Sequence, residues 1–350
     1  MRFLNIQKAL LKGLLCFSFV LLITEENFAQ GGVFSKKNKL NQYSYISIGG
    51  GTSHYFGDLS PYKTFYYALY TNVQWNGTIN YTRQFSPQFA ARASFTWARI
   101  VGDDFTYAKR NLDKYHGNFL RNLHFRNDIK EFALSGIFNL LPQTGKGQQG
   151  RRKVMPFATL GIGFYGHQPQ ARDSIGVGDA VTKYVPLKEL QTSGQTIDAA
   201  APKPYSLLQV VFPISLGLKV KLTEKLDLNI EGGLRITPFD YLDDVGRANY
   251  PSPVAMRTSN PDGLRFSNRA DEDIAARTGQ SRVQIFQDII ARYGYAGAST
   301  TPSPSLDGEK YVGFGAGKPR GGATWDSYIV TQFTLSYNIG GSGIKCPPIK

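Results

Sequence analysis

The stretch that decides the fold is residues 208–237, LQVVFPISLGLKVKLTEKLDLNIEGGLRIT, in which apolar and polar residues alternate along two long segments. Apolar residues hold almost every second position, and charged residues such as Lys219 and Glu231 stand between them. Period two is the period of a β-strand, so each segment predicts a strand with one apolar and one polar face. Residues 223–225 form the short turn between the two strands.

The length of these two strands indicates where their apolar face lies. Strands of soluble proteins average about 5–6 residues, whereas a strand that crosses a bilayer needs about 9–11 tilted residues. Both segments exceed that length. We therefore expect the apolar face to contact lipid and the polar face to point into a barrel.

The same alternation recurs along the chain. It predicts eight strands, near residues 43–53, 72–84, 88–101, 123–141, 154–166, 208–222, 226–237 and 327–339. The links between them are alternately short and long, and the long ones are residues 57–71, 102–122, 167–204 and 238–326. Outer-membrane barrels have an even number of antiparallel strands, short periplasmic turns and longer outer loops. The sequence therefore predicts an all-β, eight-stranded antiparallel transmembrane barrel of the outer-membrane type over residues 43–339.

A soluble sandwich or a lipocalin-like barrel is the alternative, because it also can have eight strands. Such a fold keeps its apolar positions inside and its charges outside, and periodicity alone does not distinguish the two arrangements. Strand length and the asymmetry of the connections favour the membrane.

Residues 1–29 read as a secretory signal peptide. Arg2, Lys8 and Lys12 precede an apolar stretch over residues 13–23, and Ala29 is a plausible small residue at the cleavage site. An uncleaved anchor is the alternative. The rest of the chain has no run of about 20 apolar residues, which excludes a helical membrane protein. We expect export to the outer membrane, with periplasmic segments over residues 30–42 and 340–350.

The sequence predicts no enzyme and no cofactor. It has four histidines, and none of them has the H-E-x-x-H spacing of a zinc site. The G-x-S-x-G elbow of serine hydrolases is absent. Residues 313–318, GFGAGK, resemble a phosphate loop superficially, but Pro319 follows the lysine and the spacing fails.

Charged residues inside the predicted barrel favour a closed interior. They are Arg92, Glu131, Lys219, Lys221, Asp227, Glu231 and Arg235. We expect them to form a paired network, because an eight-stranded barrel is just wide enough to be filled by its own side chains. Pro213 lies on the same face and lacks a donor for the ladder, so we expect a bulge there.

Two features of the long connections suggest local structure. Acidic residues gather where the odd-numbered strands end, at Asp58, Asp103, Asp104, Asp240, Asp243 and Asp244. Carboxylates in such a rim could bind calcium, although pairing with nearby arginines and lysines is favoured. In the last loop, helical spacing predicts a short amphipathic helix over residues 274–293, with Asp271 as a possible N-cap and Gly294 as a possible stop. It could cover the outer mouth or bind a partner, and local packing is favoured.

The predicted periplasmic side is basic. Its candidate partner-contact residues are Lys36, Lys37, Lys39, Arg151, Arg152, Lys153 and Lys345. The chain has a formal net charge of +14, and removing residues 1–29 changes it by only one unit. An exported protein meets no nucleic acid, so the expected partners are outer-membrane lipid, lipopolysaccharide or an acidic periplasmic protein. A solvated basic face without a function remains the alternative.

Several short motifs carry a family resemblance. They are Tyr55-Phe-Gly-Asp-Leu59, Gly102-Asp-Asp104, Arg121-Asn-Leu-His-Phe-Arg-Asn-Asp128, residues 156–163, residues 205–217, Asp240-Tyr-Leu-Asp-Asp-Val245, Tyr337 and Lys345-Cys-Pro347. In this order they resemble the PorG-like outer-membrane barrels of the type IX secretion system of Bacteroidota. The match spans nearly all of the chain after residue 29, and residues 249–319 are more idiosyncratic.

The resemblance implies a non-enzymatic role. PorG-like barrels are associated with the periplasmic ring built by a lipoprotein and its partner, and they are thought to link that ring to the outer membrane. The system exports proteins and, in gliding bacteria, supports motility. The family supplies no catalytic residue. A generic porin-like or adhesive barrel is the alternative, and a small barrel enzyme acting on lipid or protein, with His54 or His124 as its candidate residue, is a weaker one.

Overall fold

The computed structural model describes residues 42–60, 69–141, 150–173, 183–195, 197, 201–270, 272–293, 319–322 and 325–339. The predicted signal peptide, most of the predicted N-terminal segment and the C-terminal tail lie outside these residues. Those three assignments therefore stay predictions.

Ten strands and six helices follow one another in the described residues. The strands are β1 Tyr43–Phe56, β2 Gln74–Gln84, β3 Phe89–Asp103, β4 His124–Asn139, β5 Val154–Gly166, β6 Pro169–Arg172, β7 Tyr184–Pro186, β8 Leu208–Lys221, β9 Leu226–Ile236 and β10 Ser327–Ile339. The helices are α1 Asp104–Ala108, α2 Leu112–Arg121, α3 Leu187–Leu190, α4 Pro253–Ser259, α5 Pro261–Ser267 and α6 Val283–Tyr293. No described helix is long and apolar enough to cross a membrane.

Eight of these strands form a closed antiparallel barrel. The order around it is β3-β2-β1-β10-β9-β8-β5-β4, and pairing of β3 with β4 closes the circle. The connections after β2, β4 and β8 lie at one end, called here the turn side. The long connections lie at the opposite end, called the loop side. The eight predicted strands are therefore confirmed, with ends that differ by a few residues.

The outer wall of the barrel is apolar and its interior is polar. Leu216 on β8 is 67% exposed and Ile48 on β1 is 64% exposed, although both belong to the middle of long strands. Inward-facing residues such as Ser47, Thr82 and Gln332 are buried. A soluble barrel would show the reverse arrangement, because removing the apolar face from water lowers the free energy of the fold. The barrel is of the outer-membrane type.

An arginine on this wall is expected to destabilise the barrel according to its depth. Leu216→Arg should cost about 2–4 kcal/mol of unfolding free energy in lipid, because it puts a cation near the bilayer midplane. Leu208→Arg, at the loop-side end of the same strand, should cost about 0–1 kcal/mol. Reversible urea unfolding from lipid vesicles measures both values. Equal small costs would mean that this wall does not contact lipid.

The expected bulge at Pro213 is wrong. Leu160 pairs with Ile214 and Gly163 with Val211, so the register between β5 and β8 is the same on both sides of the proline. Pro213 itself pairs with Arg235 on β9. The missing donor interrupts only the ladder toward β5. A shift by one residue would turn every polar side chain of β8 toward lipid, which costs more than an interrupted ladder.

The long connections contain more structure than the sequence predicted. The short strand β6 pairs with β4 beyond the end of β5, and β7 pairs with β6. The predicted helix over residues 274–293 is shorter, since only α6 is helical. Before it, Ile274 pairs with Ser281 across a turn in which Gly279 has a φ of +71°. A left-handed residue interrupts a helix, and the expected cap and stop, Asp271 and Gly294, lie outside the described residues.

Candidate functional site

Ion pairs fill the middle of the barrel. The guanidinium of Arg92 on β3 binds Glu231 on β9 through two bonds of 2.6 and 2.8 Å. Nearer the loop side, Arg235 Nε lies 3.4 Å from Glu131 Oε2, and the Tyr328 hydroxyl donates to the same oxygen at 2.6 Å. These pairs span the interior between strands that are not neighbours. The predicted paired network is confirmed for these four charged residues.

The two lysines of the predicted network behave differently. Lys219 is buried and its ammonium donates to the Tyr45 hydroxyl at 2.8 Å, so its nearest polar partner is a phenol. Lys221 instead pairs with Glu224 in the turn after β8, at 2.8 Å. A cavity beside Lys219 and Arg92 in the turn-side half has room for about one water molecule. Side chains therefore occupy nearly all of this part of the interior.

Arg151 closes the turn side of the barrel. It is buried, its guanidinium lies 3.3 Å from Asp227 Oδ1, and it donates to the carbonyl oxygens of Thr223 and Glu224 at 3.1 Å each. The turn after β8 is tied to the start of β5 by these bonds. Arg151 is one of the predicted partner-contact residues, and the structure places it inside the barrel end, paired with Asp227. Its contact with a partner stays a prediction.

The other predicted partner-contact residues have varied positions. Lys153 is exposed and Arg152 is partly exposed at the turn side. The lysines at positions 36, 37, 39 and 345 lie outside the described residues. The structure thus leaves Lys153 and Arg152 as accessible candidates and adds Lys225, which is exposed in the neighbouring turn.

The acidic residues of the loop side form a buried network around Tyr55. Its hydroxyl oxygen lies 2.7 Å from Asp243 Oδ2 and 2.6 Å from Asp326 Oδ1. The backbone N–H groups of Val245 and Leu242 donate to the remaining oxygens of these two carboxyl groups, at 2.9 and 2.8 Å. The last loop is thereby tied to the end of β1.

The Tyr55 hydroxyl and the carboxyl groups of Asp243 and Asp326 cannot make both short contacts if both carboxyl groups are ionised. A phenol has one proton to donate, so two contacts shorter than 3 Å require a proton on one of the carboxyl groups. Burial raises the pKa of Asp326 well above its usual value, and the nearby Asp243 charge raises it further. Burial and the Asp58 charge likewise raise the pKa of Asp243. One protonated aspartic acid in this cluster accounts for both the two short contacts of Tyr55 and the raised pKa values.

Arg121 joins the first two loops. It binds both oxygens of Asp104, at 2.7 and 2.8 Å, and both side chains are buried. The same guanidinium donates to the carbonyl oxygens of Asp58 at 2.9 Å and Arg320 at 3.3 Å. A single side chain at the end of α2 therefore contacts the loops that follow β1, β3 and β9.

Arg320 makes the matching connection to the third loop. Its guanidinium donates to Ser193 Oγ at 2.8 Å and to the carbonyl oxygen of Asp244 at 2.7 Å. The Asp244 carboxylate also accepts bonds from the Tyr205 hydroxyl, at 2.7 Å, and from Thr192. All four loops are linked in this way. We call the linked loops the cap.

A second layer of the cap packs on α2. The apolar face of α6, with Phe286 and Ile289, packs against Phe119 and neighbouring apolar residues. Arg282, just before α6, donates to the carbonyl oxygens of Phe119 and Leu120 at 2.8 and 2.9 Å, at the end of α2. This packing confirms local folding over the mouth for the predicted amphipathic helix.

The predicted acidic rim is paired with arginines. Asp104 binds Arg121, Asp244 lies 3.5 Å from Arg320, and Asp103 lies 3.7 Å from Arg277. No three histidine, cysteine, aspartate or glutamate side chains in the described part of the chain are grouped to hold a metal ion. The paired arrangement, which the sequence favoured over a calcium site, is thus observed for Asp103, Asp104 and Asp244, whereas Asp243 shares the Tyr55 hydroxyl with Asp326.

The histidines named for the enzyme alternative are in structural contacts. His124 Nε2 accepts the backbone N–H of Arg172 at 3.0 Å, which positions β6 on β4. His54 Nε2 lies 3.1 Å from the Thr52 hydroxyl. Both side chains are buried. In these positions they hold strands and loops together.

Comparisons with known proteins find only distant structural likenesses. No protein-family model and no curated protein sequence matches the chain. Among solved structures, the attachment invasion locus protein Ail of Yersinia pestis is 9% identical, with a TM-score of 0.32 over 85% of this chain and 99% of that one. Neisserial surface protein A is 7% identical, with a TM-score of 0.32 over 84% and 96%. Scores this low add nothing to what the barrel itself shows.

Sequence reasoning missed how the cap is held together. Tyr55, Arg121 and Asp243 lie inside the family motifs, but the motifs did not reveal that these residues meet. Arg320 lies in the last loop outside any motif. One sequence feature could have indicated these contacts. The motif carboxylates and Arg121 all lie just beyond strand ends on the loop side, where a barrel brings its loops together.

Proposed function

We propose that this protein is a non-enzymatic, non-conducting outer-membrane barrel that anchors a periplasmic protein assembly. The observation that carries the proposal is the filled interior. The Arg92–Glu231 pair, the Arg235–Glu131 pair and the Arg151 contacts block the interior at successive heights along the barrel axis. A barrel without a passage contributes through its surfaces. The turn side carries the exposed basic residues Lys153 and Lys225, which suit an acidic periplasmic partner.

The family resemblance supports a specific assembly. The motif residues Tyr55, Asp104, Arg121 and Asp243 all belong to the cap, so the resemblance covers residues that link its loops. We infer that the partner is the ring of the type IX secretion system, formed by a lipoprotein and its partner, in the machinery that also supports gliding motility.

In-cell crosslinking tests the anchor. A photo-crosslinking amino acid at Lys153 or Lys225 should capture the ring lipoprotein or its partner, because both positions project from the turn side. The matched control is Val254 on α4, which is 61% exposed on the loop side. It should capture neither protein. Absence of ring proteins from the turn-side crosslinks, in cells that contain the folded barrel, would contradict the proposal.

Conductance separates the anchor from a porin. The purified barrel in planar bilayers should show no stepwise channel openings, since ion pairs cross its interior and the cavity beside Lys219 and Arg92 has room for about one water molecule. Regular openings in the wild-type protein would support the porin-like alternative instead.

A further inference from the structure

In the loop-side half of the outer wall, the charged residues are confined to one sector. Outward positions on β1, β5, β8, β9 and β10 carry no lysine, arginine, aspartate or glutamate. On β2 the exception is Arg83 at the turn side. On the loop side, adjacent strands β3 and β4 carry Arg99, Arg126, Asp128 and Lys130 on the outward face. Such clustering gives the loop-side half of the wall one charged site.

The aromatic neighbours place this sector at the membrane interface. Lys130 pairs directly across the ladder with Trp97, and Trp97 packs edge-on against Trp75 with ring centroids 5.4 Å apart. Tryptophans of outer-membrane barrels lie at the headgroup level. Two residues further along β4, Phe132 begins the apolar belt and is 52% exposed. Lys130 is therefore the first charged residue above the lipid chains.

Two of the cations in this sector have no acidic partner among the described residues. Arg99 is neutralised by Asp128, through bonds of 2.6 and 2.8 Å. Lys130 is exposed, and its ammonium lies 5.9 Å from the centre of the Trp97 ring. The guanidinium of Arg126 stacks 3.7 Å from the centre of the Tyr184 ring. Within the described residues, Arg126 and Lys130 therefore carry positive charges at the headgroup level that no acidic side chain pairs.

The surroundings hold the guanidinium of Arg126 in place and leave room beside Lys130. Arg126 donates to the Gln170 side chain at 2.8 Å, so β6 and β7 fix its position. Gly166 pairs with Lys130 from the other side, and a Cβ at that glycine would meet nothing within 4 Å. The two cations are four positions apart, which is about 13 Å along a strand. The wall therefore offers a fixed guanidinium and an exposed ammonium beside an open strip.

We propose that Arg126 and Lys130 form a binding site for the phosphate groups of a phosphorylated glycolipid of the outer leaflet. The lipid chains lie on the apolar belt below Lys130, and the sugar headgroup covers the open strip beside Gly166. Anionic headgroups are attracted by juxtamembrane cations, and arginine in particular suits phosphate through its paired donors. The proposal rests on outer-membrane placement with the long loops outside, and it is independent of a secretion role.

Native mass spectrometry in detergent tests the site with two probes. Lipid A that carries phosphates should remain bound to the wild-type protein, and lipid A from which the phosphates have been removed should bind much more weakly. Lys130→Gln and Arg126→Gln should each lower the affinity for phosphorylated lipid A about fivefold. The matched control is Lys225→Gln, at the turn side, which should leave this affinity unchanged. A heat-dependent gel shift verifies that each variant is folded.

Three outcomes would overturn the site. The first is equal retention of the two lipid A forms, which would mean that the apolar belt alone binds. The second is an equal loss in Lys225→Gln, which would mean that net charge alone attracts the lipid. The third is displacement by millimolar inorganic phosphate or equal binding of phosphatidylglycerol, which would mean a general anion site. Crosslinking to the periplasmic ring is unaffected by any of these results, so the two proposals fail separately.

Discussion

Replacing Arg121 by alanine is expected to open the cap while the barrel stays folded. The substitution leaves the Asp104 carboxylate buried without its bidentate partner, and it removes the donors to Asp58 and Arg320. Breaking a buried pair from one side costs about 3–5 kcal/mol, because the remaining charge is uncompensated. Hydrogen exchange of the α2 amides should show this loss as a faster opening reaction, whereas the amides of the barrel strands should remain protected.

Arg99 supplies a matched control for this prediction. It also binds an aspartate, Asp128, through two bonds, but on the outer wall, where the two side chains are 28% and 32% exposed. Arg99→Ala should cost at most about 1 kcal/mol, since solvent screens an exposed pair. Replacing Arg121 and Asp104 together by leucines should recover part of the loss, because no unpaired charge remains. Equal opening in Arg121→Ala and Arg99→Ala would contradict the central role of Arg121.

Raising the pH is expected to loosen the cap. Burial and the charge of Asp58 raise the pKa of Asp240 to about 7, and burial raises the pKa of Asp243 and Asp326 as well. A carboxyl group whose pKa is higher in the folded state than in the unfolded state favours folding while it is protonated. This stabilisation is fully present below the pKa of the unfolded state, which is about 3.9 for aspartate. The stabilisation is lost as the pH rises through the folded value. Between pH 5 and pH 8 the cap therefore loses stability.

Hydrogen exchange measures this loss. After correction for intrinsic exchange, the opening constant of the Leu242 and Val245 amides should rise about tenfold or more from pH 5 to pH 8, because one fully coupled group contributes a factor of ten per pH unit. Asp326→Asn should reduce the pH dependence, since an amide needs no proton to lie near Tyr55. Asp262→Asn, exposed on α5, is the matched control and should leave the dependence unchanged. A pH-independent opening constant in the wild-type protein would contradict the shared-proton arrangement.

The barrel was predictable because lipid and a filled interior impose a period of two on every strand. The alternation in residues 208–237 located β8 and β9 to within two residues, and the same pattern located the other six barrel strands. The helix near residues 283–293 was also predictable from spacing. Its N-terminal boundary was not, because Gly279 adopts a left-handed conformation that periodicity does not reveal.

The contacts inside the barrel could be predicted only in part. Charges inside a barrel must be paired, so the sequence indicated a network, but it could not show that Lys219 contacts Tyr45 rather than a carboxylate. It likewise placed Arg151 on a basic surface, although that side chain turns inward to Asp227. Which side chain each interior charge contacts depends on three-dimensional distances between strands that are far apart in sequence.

The sequence by itself determined a barrel with an apolar outer wall, a polar interior and alternating short and long connections, because each of these follows from local pattern and connection length. Only the tertiary structure decided that Tyr55, Asp243 and Asp326 meet, and that Arg121 and Arg320 link the four loops. It also decided that Arg126 and Lys130 lie on one sector of the wall with no acidic partner among the described residues. Barrel closure brings together residues hundreds of positions apart, and the energies that select their contacts depend on burial and distance, which no local pattern encodes.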